Sequence, residues 1–94
     1  MQIRNLPLLQ AFKQKHADAR KQLEQWQKDV EIQQWASPQD IKAHYQSADF
    51  LADNRVIFNI KGNHYRLVVK VRFQNEMVLI EWVGTHAEYD KKQF

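Results

Sequence analysis

Two short stretches carry most of the chemistry this chain can offer: "KGNHYR" at residues 61–66, with Lys61 and Arg66, and "THAEYDKK" at residues 85–92, with His86, Tyr89, Asp90, Lys91 and Lys92. Cutting RNA without a metal uses the substrate's own 2′-hydroxyl as nucleophile, which leaves a protein three tasks. A base takes the 2′ proton, an acid protonates the departing 5′ oxygen, and fixed cations stabilise the charge that builds on the phosphorane. His86 suits base or acid, because an imidazole exchanges a proton in the physiological range. Tyr89 can donate to the leaving oxygen or stack on a base. Arg66 is the natural phosphate clamp, since a guanidinium reaches two oxygens at once. Lys61, Lys91 and Lys92 add charge. A plainer reading stands beside this one. Thr85 and Glu88 have the spacing of a capping box, so "THAE" also reads as the start of a short terminal helix.

Composition narrows the other possibilities. A chain of 94 residues makes one domain, residues 1–94, with a single core, and any site must lie on its surface. There is no cysteine, hence neither disulfide nor thiolate chemistry. The histidines, at 16, 44, 64 and 86, form no i, i+4 pair and no HExxH, so neither a metal nor another cofactor is expected. Apolar runs fall far short of the ~20 residues that span a bilayer. The start "MQIRNLPLLQAFKQKH" turns charged before a signal-peptide core develops. A soluble, cytoplasmic protein is the expectation. Residues 1–54 hold seven Lys/Arg against seven acids, and residues 55–94 hold seven against four, so the whole excess of +3 lies in the second part. That imbalance favours an anionic partner there.

The elements that must position these groups follow from periodicity. From about Leu6 to Trp35, apolar residues recur at spacings of three and four among Lys, Gln and Glu, which predicts a helical hairpin. Pro7 suits a first turn, and "HADAR" at 16–20 is the expected break, with Asp18 capping the second helix. Ser37 and Pro38 open a short third helix in "SPQDIKAHY". After residue 54 the period becomes two. "RVIFNI", "HYRLVVKVRF" and "EMVLIEWV" read as three antiparallel strands joined through "KGN" and "QN", with Gly62 free to take a positive φ. The fold class is α+β: an N-terminal helical hairpin and a short third helix packed on one face of a three-stranded antiparallel sheet.

In the middle strand, alternation puts Tyr65, Leu67, Val69, Val71 and Phe73 on one face and Arg66, Val68, Lys70 and Arg72 on the other. One face packs and the other is cationic. In a meander the start of the second strand and the end of the third share one edge of the sheet. Lys61, Asn63, His64 and Arg66 are therefore expected near Thr85, His86 and Tyr89. Asn63, His64, Lys70, Arg72, Lys91 and Lys92 become candidate RNA contacts around Arg66, His86, Tyr89 and Lys61.

"KGNHYRLVVKV" followed by "VGTHAEYDK" resembles the HigB-type toxins of bacterial type II toxin-antitoxin modules, within the wider RelE-like fold. The similarity extends through "FKQKHADARKQLEQW", "SPQDIKAHYQSADF" and "RVIFNI", nearly the whole chain. The resemblance implies a ribosome-dependent, metal-independent mRNA endonuclease that inhibits translation. It also implies a cognate helix-turn-helix antitoxin of HigA type as partner, with promoter DNA bound only through the antitoxin complex and no membrane. Arg66, His86 and Tyr89 match the family's motif arginine, histidine and tyrosine, and Lys61, Asn63 and Asp90 match further motif positions. Two other readings remain. The same basic sheet could hold RNA or a protein without cutting, or the basic face could be plain solvated surface on a chain that exists to pair with another.

Overall fold

In the computed structural model, which describes residues 1–92, the chain runs β1 (Gln2–Arg4), α1 (Leu6–Lys15), α2 (Ala17–Glu31), α3 (Pro38–His44), β2 (Asp49–Leu51), β3 (Arg55–Ile60), β4 (Tyr65–Arg72), β5 (Met77–Thr85) and α4 (His86–Asp90). The expected meander is β3, β4 and β5, paired antiparallel. It is the centre of a larger sheet. Five strands, in the order β1-β5-β4-β3-β2, replace the three expected. β1 pairs parallel with β5, Ile3 against Val78, and β2 pairs antiparallel with β3, Phe50 against Val56. Both additions are three residues long, too short for a period of two to show in sequence.

The helical hairpin breaks at one residue, His16, rather than across 16–20. Asp18 is not the cap. It lies in the first turn of α2, where its carboxylate accepts hydrogen bonds from the Tyr65 hydroxyl at 2.8 Å and from Lys61 Nζ at 3.0 Å. α3 begins at Pro38 as expected, but the Ser37 side chain makes no capping bond, and Asp40 instead accepts from the Ala36 amide at 2.8 Å.

Leu9 and Phe12 of α1, Leu23, Trp26 and Val30 of α2 and Ile41 of α3 form one core with Val56, Phe58, Ile60, Leu67, Val69, Val71, Val78 and Ile80. The strand members alternate along β3, β4 and β5, so a single sheet face meets the helices. At about 1.5–3 kcal/mol for each large apolar side chain buried, this face fixes the register of the strands. A one-residue slip would turn Arg66 into the core. Outside that core Ile57 and Val68 are also buried, 2% and 0% exposed, in a cross-strand row that ends on Trp82. A bulge at Val68/Val69 leaves Glu81 as an extra residue in β5, and its carboxylate accepts from Arg55 Nε at 2.7 Å. Among the described residues, no helix is long and apolar enough to cross a membrane.

Candidate active site

Thr85 ends β5 opposite Tyr65 and begins α4. A strand residue already has the extended dihedrals an N-cap needs, here φ −74 and ψ 160, so sheet passes to helix without a loop. Two of the orphan N–H groups of α4 are then answered. The His86 amide donates to the His64 carbonyl at 3.0 Å, and the Glu88 amide to Thr85 Oγ1 at 3.1 Å. The Thr85 amide donates back to Glu88 Oε1 at 2.8 Å, closing the capping box. These bonds to Thr85 hold the Glu88 carboxyl below the usual carboxylate range.

With α4 so anchored, His86, Tyr89 and Asp90 share one helical stripe at spacings of three and four. The stripe faces Arg66, whose cross-strand partner is Gly84. Arg66 Nη2 lies 2.8 Å from His86 Nε2, and the guanidinium carbon sits 4.6 Å from the centre of the Tyr89 ring. A guanidinium has donors only, so this hydrogen bond assigns the lone pair to Nε2 and the N–H to Nδ1. Nδ1 is 3.3 Å from Asp90 Oδ2. The carboxylate stands at ion-pair distance behind the ring, and the Arg66 contact by itself sets the tautomer that leaves Nε2 a base. Trp82 stands behind, its ring 6.0 Å from Tyr89, with Lys92 Nζ 5.9 Å from the indole. Gly84 makes room for that indole: a Cβ there would meet two of its carbons at 2.5 and 2.6 Å.

The family description "RelE-like toxic component of a toxin-antitoxin system", that of the HigB toxins, matches residues 19–92. The chain belongs to the HigB toxin family. Its similar relatives include the mRNA interferase toxin HigB of Escherichia coli K12, 38% identical over 55 residues, which is 56% of this chain and 53% of that protein. The mRNA interferase HigB proteins of Escherichia coli O157:H7 and Shigella flexneri match with the same figures. The chain spans about half the length of the curated relatives it matches.

In this HigB-family chain the structure brings Arg66, His86 and Tyr89 together, and adds Asp90. It does not bring Lys61. That residue sits in the β3–β4 turn with φ 52, where strand alternation no longer sets its direction, and its ammonium is held by Asp18 on the helix side. Lys61 holds Asp18 below the usual carboxylate range, and Tyr65, donating to the same carboxylate, is itself pushed up. Asn63 and His64 are exposed in that turn, His64 supplying only its carbonyl to α4. Lys70 and Arg72 share the face of Arg66 farther along β4, half-buried and exposed respectively, and extend it by about 20 Å at ~3.3 Å per residue. Lys91 and Lys92 are exposed at the end of α4. Among the described residues no group of three or more His, Cys, Asp or Glu could hold a metal ion. Sequence reasoning passed over Trp82 and Gly84. The only signal was a glycine two residues past a tryptophan in an otherwise β-branched and aromatic strand.

Proposed function

We propose that the chain is the toxin of a type II toxin-antitoxin module and a ribosome-dependent, metal-independent mRNA endonuclease acting in the cytoplasm. The observation that carries this reading is the sequence of contacts Arg66, His86, Asp90. It presents a base of defined tautomer next to a phosphate-binding cation. In the reaction, Arg66 Nη2 turns from His86 to an oxygen of the scissile phosphate, which bares the Nε2 lone pair. Nε2 takes the 2′ proton, the 2′ oxygen bonds to phosphorus, and the bond from phosphorus to the 5′ oxygen breaks. The products are a 2′,3′-cyclic phosphate and a 5′-hydroxyl end. Asp90 stabilises the imidazolium that forms, as a carboxylate behind a catalytic histidine does. Tyr89 supports the guanidinium through its ring face, and its hydroxyl is the proposed donor to the departing oxygen. Lys70, Arg72, Lys91 and Lys92 hold the message by its backbone. A helix-turn-helix antitoxin of HigA type silences the toxin and carries the complex to promoter DNA.

The test maps 5′ ends of a translated message for wild type, Arg66→Ala and His86→Ala, each shown to be folded by thermal unfolding. Wild type cuts ribosome-engaged message, and the folded variants lose about 10²–10³ in rate, as removal of a transition-state donor or base does. A folded wild type that leaves messages intact with ribosomes present ends the nuclease reading and leaves a binding module.

A further inference from the structure

Three buried side-chain atoms among the described residues lack a hydrogen-bond partner: Trp26 Nε1, Asn59 Oδ1 and Arg66 Nε. Two of the three stand on residues that face each other directly across β3 and β4, Asn59 against Arg66. Directly paired residues of an antiparallel ladder project to the same sheet face, with Cβ atoms roughly 4.5–5.5 Å apart. One orphan is an acceptor and the other a donor. Nor is the orientation of the amide arbitrary. Asn59 Nδ2 donates to the Ser47 carbonyl at 2.9 Å, so the oxygen is the end left over. Flipping the amide would set two oxygens against each other.

We propose that Asn59 is a positioning residue for Arg66, its Oδ1 taking the Nε–H of the guanidinium once substrate draws Nη2 away from His86. The proposal rests on the nuclease reading for its consequence in rate, and on the sheet register alone for the contact. In the free protein Arg66 is held at Nη2 by His86 and from one side by the Tyr89 ring. Binding a phosphate gives up the first of these. Without another anchor the guanidinium would follow the phosphate off the ring and away from His86. A bond from Nε to Asn59 keeps it in place, and it also decides how phosphate is read. Because Nε is buried, phosphate oxygens are confined to the outer edge formed by Nη1 and Nη2. The bidentate clamp is then end-on, directed towards His86. Ser47, just before β2, fixes the amide from behind.

The experiment combines Asn59→Ala with Arg66→Lys, alone and together, and follows the Arg66 Nε–H resonance in the 15N-labelled chain with and without a 2′-deoxy oligonucleotide. Lysine has no counterpart of Nε–H. In the arginine background Asn59→Ala lowers kcat about tenfold with KM nearly unchanged; in the Arg66→Lys background it has no further effect. The Nε–H resonance of the wild-type complex shifts in Asn59→Ala. Equal losses in both backgrounds, or an Nε–H resonance indifferent to Asn59→Ala, overturn the proposal by leaving Asn59 a merely structural residue. Should the alanine variant not fold, a folded Asn59→Leu whose Nε–H resonance matches that of the wild-type complex overturns it equally. If wild type cuts no message, the nuclease reading falls, and the resonance decides the contact by itself.

Discussion

Thr85→Val removes one hydroxyl and almost nothing else, and so isolates what the capping box does for the site. Valine keeps the volume and the β-branch, so the pairing of position 85 with Tyr65 is preserved. The lost bond is the one from the Glu88 amide to Thr85 Oγ1, and an N-cap of this kind is worth ~1 kcal/mol, range about 0.5–2. α4 has five residues and no fully buried side chain to compensate. Opening of α4 therefore becomes about fivefold more frequent, with RT ~0.59 kcal/mol, while the sheet is untouched. Amide exchange reads this directly: protection at Glu88, Lys91 and Lys92 falls about fivefold, and that of β4 stays as it was. On the proposed nuclease reading, cutting falls by less than that factor, since α4 still spends most of its time formed. His86→Ala gives the opposite pattern, with exchange unchanged and cutting lost. Unaltered protection in a folded Thr85→Val protein would refute the idea that the box holds the helix. A loss of cutting well beyond fivefold with unaltered protection would instead place the hydroxyl on the substrate.

On the nuclease reading Lys61→Ala retains cutting to within about threefold and leaves the urea-unfolding midpoint nearly unchanged, because its exposed, solvent-screened pair with Asp18 is the interaction removed; a loss as large as that of Arg66→Ala would return Lys61 to the reacting centre. Gly84→Ala drives a methyl into the Trp82 ring, destabilises the fold by ~1–3 kcal/mol and changes the near-ultraviolet dichroism of that indole, with Trp82→Phe as control. Acid weakens the protein through Asp18 and Glu88. Both carboxyls are depressed in the folded state, so their contributions are present above the ordinary carboxylate pKa of ~4 and are lost as pH falls through the lower folded values. Thermal unfolding between pH 7 and 2 follows this, and Asp18→Asn flattens the profile; an unchanged slope would show that Asp18 is not linked to folding.

The central strands were legible because each has a buried face, and a buried face writes itself as alternation. Arg55–Ile60 coincides with "RVIFNI", and the meeting of Arg66 with His86 and Tyr89 followed from strand direction alone. What escaped was of two kinds. β1 and β2 are three-residue strands whose pairing partners lie elsewhere in the sequence, and no local period announces such a contact. Lys61 and Asp18 escaped for a different reason. Residue type alone suggests a cation beside a motif and an aspartate capping a helix, and in the structure each satisfies the other.

The two readings of "THAEYD" are one device. A capping box uses the residue before the helix and the third residue within it, here Thr85 and Glu88. The helical repeat then carries the first, fourth and fifth positions, His86, Tyr89 and Asp90, to a single stripe. The groups that build the helix and those that face Arg66 are thus interleaved without competing for any position. Because Thr85 is also the last residue of β5, the stripe is referenced to the sheet that carries Arg66. A loop between strand and helix would have left the 2.8 Å contact from Arg66 to His86 dependent on flexible chain. Here the distance is set by strand register and one turn of helix.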